Sequence, residues 1–443
     1  MDSKGNKLSS WAESIVLLFI SFYIFLIPAG ILVIDLQDAG LKNNDIPSFT
    51  YRWHSRISKD IVAWSAERVD AEMGSNLSIN DISGTEWPMF SAVFFLWSTE
   101  ALQDNWALNP DASQQAPVEY SKDAIEAAAQ LIVDPDNASW VKQHWGDNYL
   151  HKENAFYRML LISGLSSYQK LTGDDQYKEI LVDQVNSLTN ELDHSPFGLL
   201  DDYPGECYPV DILPAIAAIK RANELIGVDD SEFVKRSLRA FQGNALDSET
   251  NLPAYVANSK TGVGYGPARG VGISYMLIWA PELWPDTASR WYEQYEKYFW
   301  KESLLISGFH EFAINSNNMA FSDVDSGPVI GGYGVAASAF GIGAARVNNR
   351  IQQSYALSTE ALVASWPLPN GTLMIPRLLS NLSDAPYLGE TALLFVLTRK
   401  ALIKSEDSQE VYLPPFVYLF LTFYILSGAA IFRCAISPIL KKS

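Results

Sequence analysis

"ENAFYRMLLISGLSSYQKLTGDDQY", Glu153 to Tyr177, opens on polar residues, continues almost without charge for about five helical turns, and turns at Leu-Thr-Gly-Asp. The stretch that follows, "QYKEILVDQVNSLTNEL", carries one polar and one apolar face at helical spacing. A helix apolar all round has to be buried on every side, whereas an amphipathic one covers it from outside. The pair reads as a helical hairpin with an inner and an outer member.

The same pattern recurs along the chain. Charge-poor segments begin near Trp87 (WPMFSAVFFLWSTEAL), Asn154, Tyr208 (YPVDILPAIAAIKRAN), Arg269 (ARGVGISYMLIWAPELW), Gly332 (GYGVAASAFGIGAARV) and Tyr387 (YLGETALLFVLTRKAL). Successive starts are about 55 to 65 residues apart, the spacing of one helical hairpin plus a long loop. Between them lie amphipathic stretches such as SKDAIEAAAQLIVD, DSEFVKRSLRAFQ and TASRWYEQYEKYFW. About six such pairs predict an all-α fold, an (α/α)6 toroid with a double ring of helices. Gly334, Ala336, Ala337, Ser338, Ala339, Gly341 and Gly343 have almost no side-chain volume, so the inner helix they form is expected to approach its neighbours closely. A small-residue core helix in another all-α bundle is the competing reading.

Both flanks are strongly apolar. Ile15 to Ile34 (IVLLFISFYIFLIPAGILVI) is uncharged over roughly 20 residues, enough to cross a hydrocarbon core of about 30 Å, and Phe416 to Phe432 (FVYLFLTFYILSGAAIF) is only slightly shorter. The first run exceeds a signal-peptide core and no small-x-small cleavage site follows it, so it reads as an uncleaved anchor. Lys4 and Lys7 precede the first span, while Arg433, Lys441 and Lys442 follow the second; the positive-inside rule places both tails in the cytoplasm and the middle region in the periplasm or outside the cell. The expected layout is a cytoplasmic tail over 1–10, a transmembrane helix over 11–35, a linker over 36–85, the toroid over 86–405, a second transmembrane helix over 411–433 and a tail over 434–443.

The net charge of −19 leaves no basic stripe for nucleic acid. Cys207 and Cys434 fall on opposite sides of the predicted membrane, so no disulfide framework and no CxxC site is expected. The five histidines, in no HxH or HExxH spacing, predict no dedicated zinc site, and no cofactor is expected. Two short motifs fail on spacing. Counting a calcium loop from Asp323 puts Gly327 at the fifth position, Pro328 at the sixth and Gly334 at the twelfth, where ligands and a turn glycine are required. The GxGxxA match at Gly332–Ala337 follows SDVDSGP rather than a buried strand, so it is no phosphate cradle.

Glu153–Tyr177 resembles the hairpins of six-hairpin glycosidase-type toroids. Together with GECYPVDILPAIAAI, Gly205 to Ile219, it is also similar to the linalool dehydratase/isomerase group of the same architecture. The resemblance covers roughly Trp87 to Leu402. In the glycosidase relatives the pocket is at one end, lined by the inner-helix starts and the loops before them, and the resemblance implies the same position here. That collects His151, Glu153, Asn154, Tyr157 and Arg158; Asp201, Asp202, Tyr203, Glu206, Cys207, Tyr208 and Asp211; Tyr265 and Arg269; Asp323, Asp325 and Tyr333; and Tyr387 and Glu390.

Carboxylates, tyrosines and arginines converging on one mouth suit a polyhydroxylated substrate. Glycoside cleavage needs one protonated and one ionised carboxyl group. Asp325, near a helix N-terminus that favours its anion, is the expected base, and Glu206 or Asp202 the expected acid. Glu153, Asn154, Tyr157, Arg158, Tyr203, Tyr208, Tyr265, Arg269, Asp323, Tyr333, Tyr387 and Glu390 are the expected binding residues. Asp323, Asp325 and Asp211 also fit the plainer part of helix-start and turn acceptors, and Glu153 with Arg158 that of a structural pair. In the linalool dehydratase/isomerase group, pocket cysteines do acid/base work, and Cys207 stands at a comparable helix start, although the second cysteine expected about one helix later is missing. The expectation is a membrane-anchored, outward-facing enzyme that cleaves a glycan as a hydrolase or lyase. The alternatives are a hydro-lyase or isomerase acting on a lipid-like alcohol, and a non-catalytic glycan-binding or assembly subunit partnered with other envelope membrane proteins.

Overall fold

The charge-poor and amphipathic segments alternate as helices in the computed structural model, which describes residues 2–76, 82–318, 321–382, 385–403 and 410–440. In chain order they are α1 (Phe49–Asp70), α2 (Trp87–Leu108), α3 (Lys122–Val133), α4 (Ala155–Thr172), α5 (Lys178–His194), α6 (Pro209–Ile226), α7 (Ser231–Ser237), α8 (Gly270–Leu283), α9 (Pro285–Phe299), α10 (Val335–Val347), α11 (Ile351–Ala364) and α12 (Leu388–Leu397). Even-numbered helices are the charge-poor ones. The segment 36–85, expected as a linker, contains the 22-residue helix α1, which packs on α3 and α12.

Burial follows composition. In α6, consecutive residues Ile212, Leu213, Pro214, Ala215, Ile216, Ala217, Ala218 and Ile219 are all buried, whereas α9 buries Trp291, Tyr292, Tyr295 and Phe299 and turns Arg290, Glu293 and Lys297 to solvent. A helix with no polar face needs neighbours on all sides. The even-numbered helices supply them to one another: α2 packs on α4, α4 on α6, α6 on α8, α8 on α10, α10 on α12, and α12 back on α2. The odd-numbered helices lie against them, α3 on α2 and α4, α5 on α4 and α6, α9 on α8, and α11 on α10.

Hydrogen bonds and ring contacts gather the starts of the inner helices at one end. The Asp202 carboxylate accepts from Phe156 N–H at the start of α4 and from Tyr208 N–H at the start of α6. Gly270 N–H, opening α8, donates to the Glu311 carbonyl in the segment leading to α10, and Ser91 of α2 bonds Thr391 of α12. The opposite end is closed. Trp97 and Trp279, on facing helices α2 and α8, meet with ring centroids 4.6 Å apart, and both pack on Phe395 of α12. Beneath this floor Arg221 lies 4.9 Å from the Trp279 ring and is clamped by Glu282, while Arg399 donates to the carbonyl oxygens of Phe395 and Trp97.

Among the described residues, strands are confined to the loops at the open end. They form the hairpin Trp300–Glu302 with Ser307–Phe309, the short pair Val256–Ala257 with Gly264–Tyr265, and a three-stranded meander, Ser322–Asp323, Gly327–Ile330 and Tyr333–Gly334. Two further helices, Trp11–Asp35 and Pro415–Ser437, are long and apolar enough to cross a membrane and pack on each other. The first is wound as a π-helix over Ile20–Leu26, just before Pro28, and the Trp366 indole N–H donates to the Ile24 carbonyl of that turn at 2.7 Å.

The small residues of α10 do allow close approach. A Cβ placed on Gly341 would lie 2.5 Å from the Phe309 ring, and one on Gly343 2.9 Å from Ile278 of α8. Gly341→Ala is therefore expected to lower unfolding stability by about 1–3 kcal/mol, the usual cost of overpacking. Denaturant unfolding of the detergent-solubilised chain measures it; an unchanged midpoint would mean that α10 does not set the spacing of its neighbours.

Candidate functional site

The open end concentrates acids. Glu86 immediately precedes α2, Asp211 lies in the first turn of α6, Asp202 precedes α6, and Asp325 lies in the meander before α10. A helix start offers free N–H groups and a partial positive charge, which attracts carboxylates at roughly 0.3–1 kcal/mol each. Six helices opening at one end multiply that opportunity.

The four carboxyl groups are not equivalent. Asp211 is half-buried, and no hydrogen bond reaches its carboxyl group among the described residues. Burial raises its pKa well above the ordinary carboxylate range, and the charges of Asp202, Asp325 and Glu86 add to the rise. Glu86 is pushed up by burial and then by Asp325 and Asp202. Desolvation of a carboxyl group outweighs the helix-dipole contribution, so Asp211 and Glu86 are both pushed toward their protonated forms. Asp325 is exposed and accepts a 2.6 Å hydrogen bond from the Tyr255 hydroxyl. The Arg269 guanidinium lies 4.5 Å from the Tyr255 ring, and Glu311, fully buried, accepts from Arg269 Nε at 2.7 Å. A buried acid, an arginine, a tyrosine and an exposed carboxylate thus form one connected chain.

Aromatic rings line the space between these groups and the closed floor. Phe90 of α2 meets Phe156 of α4 at 5.8 Å and, across the ring, Tyr275 of α8 at 5.6 Å; Tyr275 also packs on Phe340 of α10. Among the described residues the Tyr275 hydroxyl is buried without a hydrogen-bond partner, and burial first and then the Asp211 charge raise its pKa. Tyr208 and Tyr255, with centroids 5.8 Å apart, stand beside Asp325 and Asp211. Two surface hollows lie elsewhere, about 250 Å³ between α5, α6 and α7 and about 370 Å³ around Asp38, Asp45 and Lys400, and neither brings together buried acids of different inner helices. Among the described residues, no three His, Cys, Asp or Glu side chains are placed to share a metal ion.

The residues singled out in the sequence divide into two groups. Asp325, Asp202, Tyr208 and Arg269 belong to this end, and Glu206, exposed at its rim, accepts from the Tyr208 hydroxyl at 2.9 Å. Both oxygens of Asp202 are occupied by backbone N–H groups, which makes it a strut. Cys207 is fully buried, and its thiol is pushed up by burial first and then by Asp202 and Asp201, against its use as an acid or base. Glu153 accepts from Asp201 N–H, and Asn154, buried in a left-handed backbone conformation, begins α4. Arg158 turns outward to Glu191 of α5 at 2.6 Å, so the pair expected with Glu153 is made with another helix. Tyr157 packs on Trp140 and Tyr149, and Tyr203 on Trp140 and His144, away from the acids. Glu390 is buried and paired with Arg377 at 2.7 Å, and Tyr387 lies against Trp64. Tyr333 faces His310 at 4.8 Å, Tyr265 is exposed, and the side chain of Asp323 lies outside the described atoms.

Glu86, Tyr255, Tyr275 and Glu311 were not singled out. Glu86 stands one residue before a recognised inner-helix start, so position alone would have found it. Tyr255 and Glu311 reach the site through long loops with no spacing signal.

Burial pushes the Asp202 carboxyl up to about 8 despite its two backbone hydrogen bonds. The folded chain then binds a proton that the unfolded chain, with a carboxyl near 3.9, has released. This stability is complete at acid pH and is lost as pH rises through about 8, by up to about 1.4 kcal/mol per pH unit. The thermal midpoint should fall between pH 5 and 9, and fall less steeply in Asp202→Asn; parallel profiles would remove Asp202 from that account. No protein-family model matches the chain, and no curated protein matches it.

Proposed function

We propose that the chain is a membrane-anchored (α/α)6-toroid enzyme that hydrolyses a glycosidic bond, with Asp211 as acid and Asp325 as base or nucleophile. The closed succession of inner neighbours, with an outer helix lying against each, supports the toroid reading and its kinship with six-hairpin glycosidases. The basic residues flanking both spans support a domain outside the cytoplasm.

One observation carries the reaction. Two carboxyl groups from different elements sense each other at the open end, one pushed toward its protonated form by burial and the other exposed and accepting from a tyrosine hydroxyl. Glycoside cleavage requires that division. The Asp211 proton passes to the glycosidic oxygen as its bond to the anomeric carbon breaks. Asp325 either takes a proton from the attacking water or attacks the carbon itself before water releases the sugar. The rings of Tyr255, Phe90 and Phe340 supply flat apolar faces for the substrate. The dehydratase-like reading through Cys207 loses support from the burial of that thiol.

Asp211→Asn and Asp325→Asn should each lower turnover by about a hundredfold to ten-thousandfold with an unchanged thermal midpoint. The glycan profile of a cell lacking the protein, complemented with each variant, reads this out. Full restoration by either variant would refute the proposed pair, and full restoration by both would favour a glycan-binding or assembly role.

A further inference from the structure

We infer that the open end of the ring faces the lipid leaflet beside which the domain sits, and that the substrate is an amphiphile, a sugar headgroup on a lipid anchor, drawn from that leaflet. The substrate class rests on the glycosidase reading; the orientation does not.

The two apolar spans fix the direction. At the start of α11, Ser354 Oγ donates to Asn44 Oδ1 at 2.5 Å, just past the end of the first span. Beyond the other end of α11, Trp366 donates to the Ile24 carbonyl, well inside that span. Following α11 from start to end therefore follows the first span back toward its beginning. The second span agrees. Its first turn is held by the Leu305 carbonyl through Phe416 N–H, and Leu305 lies beside Ser307, whose N–H donates to Glu360 of α11. Deeper in the span, the Tyr424 hydroxyl donates to Val363, nearer the end of α11. Both spans thus continue past the domain at the end where α11 finishes and α12 begins, which is the end that carries the acids.

That end is apolar where it meets solvent. The short helix Met374–Leu382 is turned inside out for a helix in water. Its Arg377 faces inward to Glu390 and Asp60, and Ser380 Oγ accepts from Gly389 N–H. Leu378, Leu379 and Leu382 point outward, 52%, 49% and 76% exposed. The meander adds Phe321 at 85% and Ile330 at 65%. The helix continues from the anchored tryptophan, since Met374 N–H donates to the Trp366 carbonyl and Ile375 N–H to that of Ser365. An apolar face contiguous with two spans is covered by the lipid that covers the spans. Beside this helix, whose Ser380 accepts from Gly389 N–H, the carbonyl of Pro386 accepts from Ser91 near the start of α2, close to Glu86. A headgroup entering here reaches the acids while its chain stays among lipids.

The full chain carrying Cys434→Ser and a nitroxide on Leu382→Cys, in phosphatidylcholine nanodiscs, tests the orientation. The label should collide more often with dissolved oxygen than with a water-soluble nickel chelate. The reverse ranking overturns the inference, whatever the Asp211→Asn result. For the substrate, intact glycolipid extracted from the host membrane should be consumed at least tenfold faster than the same sugar chemically released from its lipid. Equal or faster turnover of the released sugar overturns the lipid-anchored class while leaving the glycosidase reading in place. Loss of no activity in Asp211→Asn, with the label in lipid, would sink the glycosidase reading and keep the orientation.

Discussion

Everything in this molecule follows from helices that have no polar side. Such a helix cannot lie on a surface, and a pair of them still leaves apolar faces open. Giving each two like neighbours and an amphipathic cover removes the problem, and the succession α2, α4, α6, α8, α10, α12 does this by returning to its start. Because an outer helix separates each inner helix from the next in sequence, all inner helices point the same way. Their free N–H groups therefore collect at one end.

That collection makes the electrostatics of the open end unusual. Carboxylates suit helix starts one at a time, but several brought together in a space floored by Trp97, Trp279 and Phe395 repel one another and lose water. The conflict is resolved by unequal protonation. Burial pushes Asp211 and Glu86 up, Asp202 rises to about 8 while its oxygens accept from backbone N–H groups, and Asp325 remains in solvent with Tyr255. A group of identical functional groups thus becomes a set of different ones.

The hairpins and the two spans were legible because each is a local property: charge-poor runs, small residues and turns recur at readable spacing. The mouth was legible as a position, yet which member of a neighbouring pair faces the axis was not. Asp202 and Asp211 are both near the start of α6. The rotation of that helix, set by burial of Ile212 and Leu213 against its neighbours, turns Asp211 toward the ring, while the preceding loop turns Asp202 to the backbone of α4. Arg158 shows the same limit, since its partner Glu191 comes from the helix behind it. Glu311 and Tyr255 depend on where long loops return, and nothing in their own neighbourhoods announces it.

The domain is also tied to the two apolar helices at one irregular turn. The first of them is wound as a π-helix over Ile20–Leu26, just before Pro28. The Trp366 indole N–H donates to the Ile24 carbonyl in that turn, and its ring packs on Phe25 and Tyr424, tying both helices to the end of α11. A domain held at that point cannot swing freely on a linker. Its open end is kept at a fixed height relative to the two apolar helices, so the position of the acids along them becomes a property of the fold.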